Sequence, residues 1–139
     1  MLVKAVAVLG LTLLAGCMST PVSIDTAPRV EASSIINPEV LEANPEKGLV
    51  RIVRDAAIFG PGMYVLLYLD GRHVANIQAN RVVELNVPAG ARRVGFQVND
   101  VSQPIRYEDL SVVAGQTYDF RISVTAGGML GNWKFERLN

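Results

Sequence analysis

From Thr117 to Thr125 the side chains Tyr118, Phe120, Ile122 and Val124 alternate with Asp119, Arg121, Ser123 and Thr125. A repeat of two is that of a strand, whose successive side chains leave on opposite faces; an amphipathic helix would repeat its apolar positions every three or four residues. A strand with one apolar face has to lay that face on a second layer, so this segment commits the chain to a packed β architecture. The same period runs through the rest of the chain from Leu49 onward. Residues 49–54 alternate loosely, and residues 63–69 are apolar on both faces, as in a central or doubly covered strand. Asp70-Gly71 then closes a hairpin, because a type I′ turn needs positive φ at both central residues, and residues 72–77 return as the partner strand. Residues 81–87 put Val83, Leu85 and Val87 on one face, and residues 93–99 do the same with Val94, Phe96 and Val98. Val87-Pro88-Ala89-Gly90 turns between them, with Pro presetting φ and Gly taking the positive value. Leu110 and Val112 precede the turn Ala114-Gly115-Gln116, and a last short strand carries Trp133 and Phe135 after the break at Gly127-Gly128. Seven to eight mainly antiparallel strands with no helical period predict an all-β fold, a small β-sandwich over residues 49–139, with a closed barrel as the alternative. The strands are too short, and too many lack an outward apolar face, for a membrane barrel.

The first 48 residues obey different rules. Lys4 and an apolar run over residues 5–14 have the layout and length of a secretory signal, and the run is too short for a bilayer, which takes roughly 20 apolar residues. Leu14-Ala15-Gly16-Cys17 ends it and holds the only cysteine in 139 residues. That tetrad resembles the lipobox of bacterial lipoproteins, which implies cleavage after residue 16, a diacylglycerol thioether on the Cys17 sulfur and a further acyl chain on the freed amine. Two or three buried chains, at about 0.8 kcal/mol per methylene, hold a protein far more firmly than one. In Gram-negative relatives of this pattern an Asp after the cysteine retains the protein at the inner membrane; here that residue is Met18, which implies the outer membrane, facing the periplasm. Residues 17–48 are rich in Ser, Thr, Pro, Ala, Asn and Glu without sustained periodicity, and are expected to be the acylated cysteine followed by a flexible linker with a reach of roughly 30 Å. At Asn37-Pro38-Glu39 a cap, a proline and an acid stand in the order that starts a helix, good for two turns at most.

Charge narrows the partners. The chain carries 13 basic and 13 acidic side chains, and removing residues 1–16 removes Lys4 and no acid, leaving 12 against 13. Nucleic-acid affinity is built from many Lys and Arg contacts to phosphate, so no nucleic-acid partner is expected. With no second cysteine no disulfide is possible, and the core alone must hold the domain.

Arg54-Asp55, Phe59-Gly60, Tyr68-Leu69-Asp70-Gly71, Ala75, Ile77 and Val87-Pro88-Ala89-Gly90 together resemble a family of bacterial lipoproteins whose β-sandwich is akin to PEGA and prealbumin-like domains. The resemblance implies fold and says little of function, because Asp-Gly and Pro-x-Gly are turn chemistry. It departs from the family where an aromatic residue is usual, here Arg81 or Val82, and where a histidine is usual after the Pro-x-Gly turn, here Arg92 or Arg93.

Candidate chemistry is sparse. His73 is the only histidine, so one general base or one imidazole ligand is the limit, and its position just after a hairpin turn suits a solvated strand residue. Glu108-Asp109 are adjacent on a strand and point to opposite faces. Gly60-Pro61-Gly62 and the glycines at 127, 128 and 131 lack the Lys-Ser/Thr that ends a phosphate loop. No catalytic, metal or cofactor site is expected. Trp133, Tyr64, Tyr68, Tyr107 and Tyr118 are candidates for a sugar platform or for the core. Ala56 to Gly62 is apolar where a plain connection would be polar; Ile58 and Phe59 are therefore candidate partner contacts, or a cap over the end of the sandwich. These observations predict an outer-membrane lipoprotein with a non-enzymatic structural or protein-interaction role in the envelope, the alternative being a glycan- or peptidoglycan-binding module.

Overall fold

A computed structural model describes residues 19–57, 63–98, 103–125 and 132–139. Its strands are β1 (Ser19–Thr20), β2 (Lys47–Arg54), β3 (Ala56–Ala57), β4 (Val65–Leu69), β5 (Arg72–Ile77), β6 (Arg81–Pro88), β7 (Gly90–Val98), β8 (Arg106–Val112), β9 (Thr117–Thr125) and β10 (Asn132–Arg137). Two four-stranded sheets, ordered β10-β9-β2-β6 and β5-β4-β7-β8, pack face to face as a small all-β sandwich, and β1 and β3 form a separate two-stranded pair. The strands expected from the period of two are present, and one pairing among them, β2 with β9, is parallel.

Alternation decides which residues meet between the sheets. Val50 and Ile52 of β2, Val83, Leu85 and Val87 of β6, and Phe120, Ile122 and Val124 of β9 face Val65, Leu67, Val94, Phe96 and Val98 of the other sheet in one apolar cluster. At about 1.5 to 3 kcal/mol for each fully buried aliphatic or aromatic side chain, this cluster is the main source of stability. Phe135 of β10 closes it, its ring 4.9 Å from that of Phe120 and 5.3 Å from that of Phe96.

The outer face of β2 and β6 is not open. Val53 and Val82 are directly paired there, opposite in parity to the core positions, yet are 0% and 3% exposed. What covers them corrects one expectation: the described part of the supposed linker, residues 19–46, lies against the sandwich. Val22 N–H donates to Asp55 Oδ1 at 3.1 Å, Arg121 donates back to Val22 O, and Asp25 pairs with Arg51 at 2.8 Å. Farther on, Val82 N–H donates to Pro28 O and Val30 N–H to Val82 O, so the segment runs along the free edge of β6. It then crosses to the other sheet, where Ile36 and Asn37 N–H both donate to Val74 O of β5. Val40 follows, 4% exposed and part of the core. The short turn of helix expected nearby is a 3-10 helix, Pro38–Leu41, with the Asn37 side chain accepting from Glu39 N–H. Val30, Ile35 and Val40 are spaced five apart, which matches neither a strand nor a helix, and each docks singly; a composition rich in polar residues and proline concealed a segment that laces one seam of the sandwich.

The two ends of the sandwich differ. One, the turn end, collects Asp70-Gly71, Pro88-Ala89-Gly90 and Ala114-Gly115-Gln116. Asp70 and Gly71 have φ of 50° and 80°, as a type I′ hairpin requires, and Gly90 has φ 117°. The other, the loop end, gathers Arg54, Ala56, Tyr64, residues 78–81, Gln103, Thr125 and Asn132, because Arg54 pairs with Arg81 and Ile122, Val65 with Ile77 and Val98, and Thr125 with Asn132.

Candidate functional site

The loop end holds the most unusual chemistry in the molecule. Arg54 is the last residue of β2 and has the parity of Val50 and Ile52, so its side chain enters the interior, where the residue is 1% exposed. Its Nη1 donates to Met63 O and to Ile77 O, both at 2.9 Å, tying the end of one sheet to the backbone of the other. The guanidinium lies 5.2 Å from the centre of the Trp133 ring, an attraction to the negative face of the π-system. Nε and Nη2 have no hydrogen-bond partner among the described residues. Burial, uncompensated by any carboxylate, pushes the group down to about 10, so it stays protonated at neutral pH.

A second arginine braces the same end from the opposite direction. Arg106 of β8 donates to Trp133 O on β10 and lies 5.7 Å from the Phe96 ring. Beside it is a crevice of about 60 Å³ lined by Phe96, Gln97, Val98, Gln103, Pro104 and Trp133. It continues into a shallow, open groove of about 590 Å³ along the β8–β10 seam, where Arg106, Glu108, Lys134 and Glu136 alternate in sign. Among the described residues this seam has no counterpart of the N-terminal segment that laces β5 to β6.

Outside the sandwich, Asp55 is 3% exposed, and its Oδ1 accepts from Val22 N–H and faces Arg121 Nη1 at 3.3 Å. Burial raises its carboxyl above the usual 3.8, against the pull of the Val22 amide and Arg121. Arg51 forks onto both carboxylate oxygens of Asp119, at 2.8 and 2.7 Å, and also reaches Asp25; these hydrogen bonds raise its affinity for its proton further.

The residues singled out in the sequence fall in different places. Cys17, Ile58 and Phe59 lie outside the described residues. His73 Nε2 is 2.8 Å from Asn76 Oδ1 and its ring is 5.4 Å from that of Tyr68, on the outer face of the β5-β4-β7-β8 sheet. Asp109 pairs with Arg93 at 3.0 Å, while Glu108 turns to the seam groove, so the two carboxylates do separate. Trp133 and Tyr118 are buried in the core, and Tyr118 Oη accepts from Val113 N–H. Tyr64 and Tyr107 are exposed, and the Tyr68 hydroxyl donates to Gln97 Oε1. Tyr107 packs against Gly95, where a Cβ would stand 2.7 Å from its Cδ1 and Cε1, and the Arg93 guanidinium lies 5.2 Å from the ring centre. Among the described residues no three of His, Cys, Asp and Glu come close enough to hold a metal ion, and no helix is long and apolar enough to cross a membrane. Sequence reasoning overlooked the role of Arg54, although its parity with Val50 and Ile52 was the available signal. No protein-family model, no curated protein and no solved structure matches the chain.

Proposed function

We propose that this chain is a lipid-anchored envelope protein: acylated on Cys17, sorted to the outer membrane through Met18, and presenting a non-enzymatic β-sandwich to the periplasm for a structural or protein-interaction role. The observation that carries the reading is Leu14-Ala15-Gly16-Cys17 at the end of a short apolar run, with a single thiol in the chain. The likeness to PEGA-like lipoproteins belongs to the same proposal and rests on Arg54-Asp55, Phe59-Gly60, Tyr68-Leu69-Asp70-Gly71, Ala75, Ile77 and Val87-Pro88-Ala89-Gly90. His73, engaged with Asn76 and tilted against the ring of Tyr68, supports a structural part for the one imidazole. Metabolic labelling with a fatty-acid analogue tests the anchor: label is expected on the wild type and lost in Cys17→Ala, and label retained by the variant would sink the assignment. Met18→Asp is expected to move the protein toward the inner membrane in a density gradient.

A second reading, binding of glycan strands, has one favourable observation, the exposure of the Tyr107 ring, although the Arg93 guanidinium already lies 5.2 Å from its centre. Saturable retention on purified peptidoglycan, lost in Tyr107→Ala, would favour it over the protein-interaction role.

A further inference from the structure

Lipoproteins are commonly pictured with the folded domain swinging on a tether, and the composition of residues 17–48 predicts that arrangement here. The described chain contradicts it from Ser19 onward. Ser19 pairs with Ala57 and Thr20 with Ala56, Ser19 Oγ accepts from Val124 N–H at 3.3 Å, and the ties of Val22 to Asp55 and Asp25 to Arg51 follow at once. Ala56 and Thr125 both belong to the loop end, so the N-terminal chain leaves the domain there. Between Ser19 and the cysteine stands Met18 alone. Two Cα–Cα steps of about 3.8 Å put the Cys17 Cα no more than roughly 8 Å from that of Ser19.

The polarity of the two ends agrees with that placement. The turn end carries Glu46 and, around a hollow of about 200 Å³, Glu39, Lys47, Asp70, Arg72 and Arg92. At the loop end the described rim includes the charged Arg81, Arg106 and, where the N-terminal segment crosses the seam, Glu31, together with the uncharged, exposed Thr20, Tyr64, Gln78, Asn80, Gln103, Pro104 and Asn132. Arg54 and Asp55 are buried beneath it. Tyr64, 38% exposed, is of the residue type that favours the boundary between headgroups and hydrocarbon.

We infer that the acylated protein rests with its loop end against the lipid headgroups and its turn end directed away, pinned by residues 19–30 rather than free on a tether. This rests on acylation of Cys17, and it adds a surface and an orientation to that reading. Strands of about eight residues at roughly 3.3 Å per residue put the turn end some 25 Å farther from the bilayer.

The test uses the full, acylated protein purified from membranes and returned to vesicles of phosphatidylethanolamine and phosphatidylglycerol. Since the Cys17 sulfur would be a thioether, an introduced cysteine is the only free thiol. Tyr64→Cys and Gln103→Cys at the loop end, and Ala89→Cys and Gln116→Cys at the turn end, are each labelled with a fluorophore and quenched by nitroxide on the lipid headgroups. Quenching is expected to be several-fold stronger at positions 64 and 103 than at 89 and 116. Inserting about a dozen Gly and Ser residues between Met18 and Ser19 should erase the difference while intact mass shows the acyl groups retained. Equal quenching at both ends, or stronger quenching at the turn end, in a protein whose mass includes the acyl groups overturns the orientation and leaves the anchor standing. A difference that survives the insertion overturns the pinned segment as its cause. An intact mass without acyl groups on Cys17 removes the anchor itself, and this inference with it.

Discussion

The two ends of the sandwich hold the same strands together by opposite means. At the turn end the chain reverses through Asp70-Gly71 and Pro88-Ala89-Gly90, where the constraint is a dihedral angle and the side-chain ties, Arg92 to Pro88 O, Ala89 O and Asp70, lie exposed to water. At the loop end the sheets are tied by side chains: Arg54 reaches from β2 to the carbonyls of Met63 and Ile77, and Arg106 reaches from β8 to that of Trp133. A turn is a local solution whose cost is set by one or two residues. A buried guanidinium is a tertiary one, stable only while every neighbour that excludes water stays in place.

The contrast breaks most sharply at Arg54. Arg54→Ala would take a donor from the buried carbonyl of Ile77 and the half-buried one of Met63 and leave a void beside Trp133, and is expected to cost about 3 to 5 kcal/mol in urea denaturation. Arg54→Lys, which keeps a cation and one donor direction, should recover part of that. A loss under about 1 kcal/mol for Arg54→Ala would mean that the loop end is not braced through this side chain.

Gly71→Val probes the other end. A β-branched residue resists the φ of 80° that Gly71 adopts, so the variant should lose about 1 to 3 kcal/mol, with no partner group left unpaired. An unchanged midpoint would show that the hairpin can close through another turn type.

The same contrast explains what was legible in the sequence. Turn chemistry is written in adjacent residues, so the hairpins at Asp70-Gly71 and Pro88-Ala89-Gly90 and the strands beside them could be read directly, and the alternation at Tyr118 to Val124 gave the inner face of β9. The parallel pairing of β2 with β9 joins residues nearly 70 positions apart, such as Val50 and Tyr118, and no local pattern encodes it. β8 begins at Arg106, ahead of the apolar Leu110 and Val112 that mark it in the sequence, because Arg106 and Glu108 face the open seam where a polar side chain is tolerated on the inner parity. The N-terminal segment was concealed for a related reason: Val30, Ile35 and Val40 each fill a gap that exists only once the sheets are assembled. Arg54 had the correct parity for the core and the wrong chemistry, and only the carbonyls of Met63 and Ile77 make that chemistry acceptable there.

The smallest effect sharpens the comparison from outside the sandwich, at the carboxylate that holds the N-terminal segment to the loop end. Burial raises the folded-state carboxyl of Asp55 above 3.8 despite Arg121 at 3.3 Å. In the window between the unfolded and folded values the folded state binds more protons than the unfolded one, so this group makes the protein less stable as pH rises through that window. Asp55→Asn keeps an oxygen for Val22 N–H and cannot ionise. At acid pH, where Asp55 is protonated, the two proteins should therefore have similar stability, and the Asn variant should gain on the wild type as pH is raised from about 3 toward 7. Urea midpoints of both proteins across that range measure the difference with all other titrating groups in common. The opposite trend, with wild type gaining on Asn as pH rises, would show that the pull of Arg121 and the Val22 amide on this carboxylate outweighs its desolvation.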